Sequence, residues 1–262
     1  MIRALWTAST GMEAQQLKMD VISNNLANIN TSGFKRSRPA FQDLLYQTIK
    51  SPGSPSSTGS VVPEGIQIGH GTRLSEVDRQ FEQGSYTTTS NQYDVAIEGN
   101  GFFQIQTPNS VTAYTRDGAF HTNADGNIVT ADGYLLEPAI VVPTDATAVT
   151  IGTDGIVTVT KQNQTATEQI GQIQTARFVN PNGLRSIGRN LYEPTDASGD
   201  PVVGNPGVDG RGTLAQNTLE TSNVNLVQEM VDLILTERGY EFGSKVLKAS
   251  DEMLQMAAQV TT

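Results

Sequence analysis

Cysteine is absent from this chain, which excludes thiolate chemistry, cysteine-ligated zinc and disulfide stapling, and is compatible with an oxidising compartment. Histidine is almost absent. Only His70 and His121 occur, neither in a metal-ligand spacing, so imidazole catalysis and His-based metal binding find no support. Aromatic residues make up 6% of the chain, and 17 basic residues face 27 acidic ones for a net charge of −10. That balance argues against nucleic acid or an anionic membrane as the main partner. Long apolar runs are missing as well. The most apolar window, Val224 to Leu235, contains Asn225, Gln228, Glu229 and Asp232, too short and too polar for membrane insertion. Polar residues also interrupt Met1 to Thr10, so no cleaved signal peptide is expected. None of the nucleophile-elbow, zinc-protease or dinucleotide-binding motifs occurs, so neither enzymatic activity nor a cofactor is expected.

What is present is a seven-residue rhythm at both ends. Leu5, Met12, Met19 and Leu26 keep it near the start, and Leu219, Leu226, Leu233, Tyr240, Leu247 and Leu254 keep it near the end. A period of seven marks a narrow apolar stripe along helices that pack side by side. The first helix is expected from about Ile2 to Asn28, with Ala8, Ile22 and Ile29 in a second row that Gln15 interrupts. Gly33 is expected to supply its left-handed exit. The last helix is expected from Leu226 to Gln259, capped by Asn225, with Gln228 reaching back. Gly239 and Gly243 each cost about 1 kcal/mol inside a helix, and their shared face implies that another helix approaches closely there.

The middle is different. Short Val/Ile/Thr/Tyr runs such as Val95-Ala-Ile, Gly101-Phe-Phe-Gln-Ile-Gln, Ala113-Tyr-Thr-Arg, Asn127-Ile-Val-Thr, Tyr134-Leu-Leu and Ile156-Val-Thr-Val-Thr read as strands. Asp-Gly steps at 117–118, 125–126, 132–133, 154–155 and 209–210 supply positive-φ turns. Calcium is not favoured, because the alternating ligand spacing is missing. Ser51 to Ser60 is low in complexity and is expected as a loop or extended arm. The basic cluster Lys35-Arg36-Ser37-Arg38 reads first as a solvated surface, with an ion pair to an acidic neighbour as the alternative. The expected fold class is α+β, with paired coiled-coil-like terminal helices flanking a β-rich domain. Its expected parts are 1–33 with 222–262 as a terminal helical domain, 34–75 as an extended linker, and 76–221 as the β-rich domain. The apolar stripe that must be buried against a partner is expected to use Leu5, Met12, Met19, Ile22 and Leu26 with Leu226, Met230, Leu233, Tyr240, Leu247 and Leu254.

Read as words, Ser23-Asn-Asn-Leu-Ala-Asn-Ile-Asn-Thr-Ser-Gly-Phe-Lys-Arg36 resembles the N-terminal signature of bacterial flagellar rod and hook proteins. Glu220 to Ile234 and Ser250 to Gln255 resemble the other end of the same family, and Asp94 to Phe103, Tyr114 to Phe120 and Ser186 to Tyr192 resemble its β-domain motifs. The matching signature residues are Asn24, Asn25, Leu26, Ala27, Asn28, Gly33 and Phe34, with Ser222, Asn223 and Val224. Within the family the resemblance is nearest to distal-rod members, since Asp43 to Gly71 looks like their insertion. The resemblance implies a structural subunit that polymerises into a straight, rigid helical tube carrying motor torque, with Ser51, Pro52, Gly53, Pro63 and Gly65 in a rod-stiffening segment. It also implies partners: further copies of the chain, proximal rod proteins, the hook protein, the surrounding basal-body rings and the flagellar type III export apparatus. Export into the periplasm would then need no cleaved signal. The alternatives are another axial subunit, of proximal-rod or hook type, and a secreted β-rich enzyme or carbohydrate-binding protein.

Overall fold

A computed structural model describes residues 2–53, 64–108, 111–161 and 166–260. The fold is α+β, with one helix at each end and a β-rich region between them. In chain order α1 (Ile2–Ala27) is followed by β1 (Ser37–Asp43), β2 (Tyr46–Lys50), β3 (Ile66–Gly69) and β4 (Thr72–Arg79). Next come β5 (Tyr86–Thr88), β6 (Val95–Glu98), β7 (Phe102–Gln106), β8 (Thr112–Thr115), β9 (Phe120–Thr122), β10 (Ile128–Thr130) and β11 (Leu135–Glu137). The middle continues with β12 (Ala146–Ile151), β13 (Ile156–Lys161), β14 (Thr167–Gln172), β15 (Thr175–Arg177), β16 (Arg185–Gly188) and β17 (Leu191–Glu193). The last elements are β18 (Val202–Gly204), β19 (Thr213–Gln216), β20 (Thr218–Glu220) and α2 (Leu226–Val260).

The chain divides into two compact units. One comprises residues 1–27, 37–79 and 225–262; the other comprises 28–36 and 80–224. In the first unit α1 packs against α2, and two antiparallel ladders, β1 with β4 and β2 with β3, accompany the helices. The segment expected as a linker is therefore largely paired strand. Its side chains are too polar and too exposed to announce strands by alternation; pairing between segments far apart in the sequence, such as Ser37 with Arg79 and Asp43 with Thr72, defines them instead.

In the second unit an antiparallel sheet runs β16-β17-β8-β7-β11-β10-β9, and β15 joins it to β18. Beside it lie the three-stranded β12-β13-β14 and the pairs β6-β19 and β5-β20. Val95, Ile97, Phe103, Ile105, Phe120, Leu136, Val157, Val159 and Leu214 form its main core. Strand β7 is buried on both faces, because Phe102 joins a second cluster with Tyr114, Phe178 and Tyr192 whose rings meet edge to face.

The Asp-Gly turns separate into two kinds. Gly126, Gly133, Gly155 and Gly210 have φ between +73° and +84°, as such turns require. Gly118 does not. There Cβ would stand 1.7 Å from the Val95 carbonyl oxygen, so glycine is needed for backbone contact with β6, not for φ. Gly118→Ala is expected to cost at least about 3 kcal/mol, because backbone rather than a flexible side chain must yield. A urea titration reads this, and a loss below about 1 kcal/mol would show that β6 moves aside easily.

The helix limits lie close to expectation. Asn225 Oδ1 accepts hydrogen bonds from the N–H groups of Val227 and Gln228 and caps α2. Gln228 does not complete a capping box; its amide donates to Asp232 Oδ2 one turn on, at 3.2 Å. Leu219 lies in β20 and Ile29 beyond α1, so the seven-residue rows run past the helices by coincidence. No helix among the described residues is long and apolar enough to cross a membrane.

Candidate assembly surface

Two seven-residue lines coexist on α2, and the sequence points to the other one. Buried in this chain are Glu229, Thr236 and Ser250, and Gly243 falls in step with them. The apolar line is more open: Leu226 and Tyr240 are exposed, and Leu233, Leu247 and Leu254 are half-buried. On α1, Ile22 and Asn25 are buried, while Leu5, Met12, Met19 and Leu26 are half-buried. Small residues win the interior because they let two backbones approach. A Cβ on Gly243 would lie 2.6 Å from Met12 Cγ, and one on Gly239 would lie 3.2 Å from Gln15 Cδ. Gln15, which interrupts the stripe on α1, thus sits at the glycine that thins α2.

The outward consequence is an apolar patch. Val227, Met230, Val231, Ile234 and Leu235 are 46–70% exposed, and helical spacing puts them on the side of α2 away from Glu229 and Thr236. Beyond them the outer side carries Glu237, Arg238, Glu241, Lys245 and Lys248. A second apolar group lies on the β2-β3 hairpin, where Leu45, Tyr46, Ile49, Ile66 and Ile68 are 40–88% exposed. Ser51, Pro52 and Gly53 follow β2 in the open, and Gly65 packs back on Lys50 and Pro52; Pro63 lies outside the described residues. Isolated patches of this kind mark interaction surfaces in soluble proteins.

The signature residues are mostly internal fasteners. Asn25 Nδ2 donates to the Ser37 carbonyl at 2.8 Å and Asn25 Oδ1 accepts from the Ser37 N–H at 2.9 Å. Its amide also reaches Glu229 Oε2 at 3.2 Å. Asn223 Oδ1 accepts from the Arg36 N–H, and its amide donates to the carbonyls of Gln80 and Glu82. Ser222 and Val224 are buried, Leu26, Asn28 and Phe34 are half-buried, and Asn24 and Ala27 are exposed. Gly33 does have φ +67°, but it is not the exit of α1, which ends at Ala27. Its N–H donates to the Glu220 carbonyl, and its Cα lies against the Arg116–Asp117 peptide.

Around that point the basic cluster resolves unequally. Arg38 is on the surface, 3.8 Å from Asp78. Lys35 is fully buried, with its ammonium 2.6 Å from Glu220 Oε1 and donating to the Glu82 carbonyl at 2.7 Å. Arg116 Nε lies 3.2 Å from Glu220 Oε2, and Arg116 Nη1 donates to the carbonyls of Gly99 and Gly101. The solvated reading therefore fails for Lys35. Burial lowers its pKa, the Arg116 charge lowers it further, and Glu220 opposes both. Nearby, burial raises the pKa of Asp117, although hydrogen bonds from Ala119 and Asn190 hold it down in part. One carboxylate thus joins three sequence segments that resemble family motifs.

Three family descriptions match the chain: "Flagella basal body rod protein" over residues 5–35, "Flagellar hook protein FlgE/F/G D1 domain" over 96–159, and "Flagellar basal body rod FlgEFG protein C-terminal" over 215–260. The flagellar basal-body rod protein FlgG of Caulobacter vibrioides is 49% identical over 260 residues, 99% of each chain. That of Buchnera aphidicola subsp. Baizongia pistaciae is 48% identical over 255 residues, 97% of this chain and 98% of its own. A flagellar hook protein FlgE from Helicobacter mustelae is 42% identical over 138 residues, which is 30% of its length. Likeness from end to end sets the rod proteins apart from the hook protein, and the chain belongs to the FlgG family of flagellar basal-body rod proteins.

Proposed function

We propose that this chain builds the distal rod of the flagellum by packing its terminal helices, as coiled-coil-like seams, against those of further copies. Membership of the family makes it a structural rod component. The observation that carries the assembly reading is the exposed patch Val227, Met230, Val231, Ile234 and Leu235. Burying such side chains contributes about 1.5–3 kcal/mol each when complete, and repeated head-to-tail contact gives an open helical polymer. The assembly stripe on this reading combines Leu5, Met12, Met19, Ile22 and Leu26 with Leu226, Met230, Leu233, Tyr240, Leu247 and Leu254, with the open patch added. The β-rich unit forms an outer layer, and the tube transmits torque to the hook.

The reading includes the proximal rod proteins below, the hook protein above, the basal-body rings around and the flagellar type III apparatus as export route, without a cleaved signal. Electron microscopy of concentrated protein tests it: straight tubes are expected, and a persistent monomer would overturn it. Removal of Ser51 to Glu64 should leave secretion and the fold of both units intact but yield bent or flexible rods. Straight, stiff rods from that variant would remove the stiffening role from Ser51, Pro52, Gly53 and Pro63, and leave Gly65 without a segment to support.

A further inference from the structure

We propose that the Asn25–Glu229 hydrogen bond, with the glycine seats of Gln15 and Met12, fixes a single antiparallel register between α1 and α2. A seven-residue apolar stripe cannot do this alone, since sliding one helix by seven residues restores the same pattern. The contacts observed step down α1 as they step up α2: Asn25 with Glu229, Gln15 with Gly239, Met12 with Gly243. A slide of one repeat would bring Gln15 and Met12 to Val246 and Ser250, or to Asp232 and Thr236. Met12 already lies where a Cβ on residue 243 would stand 2.6 Å away, so neither alternative admits the same separation between backbones.

The polar pair adds a second requirement. Asn25 and Glu229 are 1% and 0% exposed, so separating them leaves buried polar groups without this hydrogen bond. Asn25 is also held by both backbone groups of Ser37, so its amide is presented to α2 at a fixed height. A buried polar residue in an apolar stripe specifies register at a cost in stability. These residues are thus positioning residues, and they favour the observed register over slipped ones.

The absence of cysteine makes the test direct. Ala8→Cys with Val246→Cys, which line one groove between the helices, reports the observed register, and Ala8→Cys with Met253→Cys reports a slide of one repeat. Each pair is placed in the otherwise unchanged full chain, in Glu229→Gln, and in Asn25→Leu/Glu229→Leu, then treated with a short bis-maleimide. The unchanged chain and Glu229→Gln, whose amide still pairs with Asn25, should give the first product at least tenfold over the second, within one chain. The double leucine variant should keep its helicity by circular dichroism yet give both products. Retention of the first product alone by the double leucine variant overturns the proposal. So does loss of both products there, or formation of both in the unchanged chain or in Glu229→Gln.

Discussion

Replacing Glu220 with Gln is expected to destabilise the β-rich unit by about 3–5 kcal/mol, because it leaves buried cations without their anion. Lys35 and Arg116 both converge on this carboxylate at 2.6 and 3.2 Å, and Gly84 N–H donates to it at 2.9 Å. Removing one cation is a different matter. Lys35→Met keeps the Glu220–Arg116 pair and should cost about 1 kcal/mol or less, because relief from burying the charge offsets the lost hydrogen bonds to Glu220 and to the Glu82 carbonyl. The direction with pH follows from the lowered pKa of Lys35. Between that folded value and the ordinary 10.5 the unfolded chain binds more protons, so this group's contribution to stability rises with pH. It is least favourable below the folded value and is fully relieved above 10.5. Lys35→Met should therefore lack part of the alkaline rise shown by the unchanged protein. The deficit of Glu220→Gln should shrink as the pH rises to that folded value, where Lys35 of the unchanged protein gives up its proton, and stay level above it. Urea titrations of the three proteins from pH 7 to alkaline values read both effects. Equal losses for Glu220→Gln and Lys35→Met would contradict the idea that the carboxylate is the hub.

How much of this was legible beforehand follows from the range of the interactions. The limits of α1 and α2 could be read because a cap and an apolar period are local signals, and Asn225 does cap α2. Which line of α2 turns inward could not be ranked by hydrophobicity. Glu229, Thr236, Gly243 and Ser250 repeat every seven residues as strictly as the leucines do, and that small-residue rhythm was the available signal. The interior favours it because close backbone approach at Gly239 and Gly243 needs small side chains, leaving larger ones outside. Lys35 and Glu220 lie 185 positions apart in the sequence, so no window contains both. Strands β1 to β4 were hidden for a related reason, since their long-range ladders carry mostly polar, exposed side chains.

Placing a charge in the open patch should separate folding from polymerisation. Ile234 is 54% exposed and stands among Val227, Met230, Val231 and Leu235, so Lys at this position can extend into water in the single chain. Stability of the isolated protein should change by no more than about 0.5 kcal/mol. In a polymer the same ammonium would be held against apolar side chains of another copy. Loss of the isoleucine burial, about 1.5–3 kcal/mol, adds to the cost of desolvating the charge. A total of at least about 3 kcal/mol per contact raises the critical concentration for polymerisation by about 100-fold or more. Lys248→Glu, on the charged stretch of the same helix where the residue is already exposed, is the matched control and should shift it by less than about tenfold. Sedimentation of polymer from monomer across a concentration series measures both variants. If Ile234→Lys polymerised as readily as the unchanged chain, the apolar stretch of α2 would face solvent in the rod, and assembly would have to rest on the half-buried line from Leu233 to Leu254 and on the hairpin.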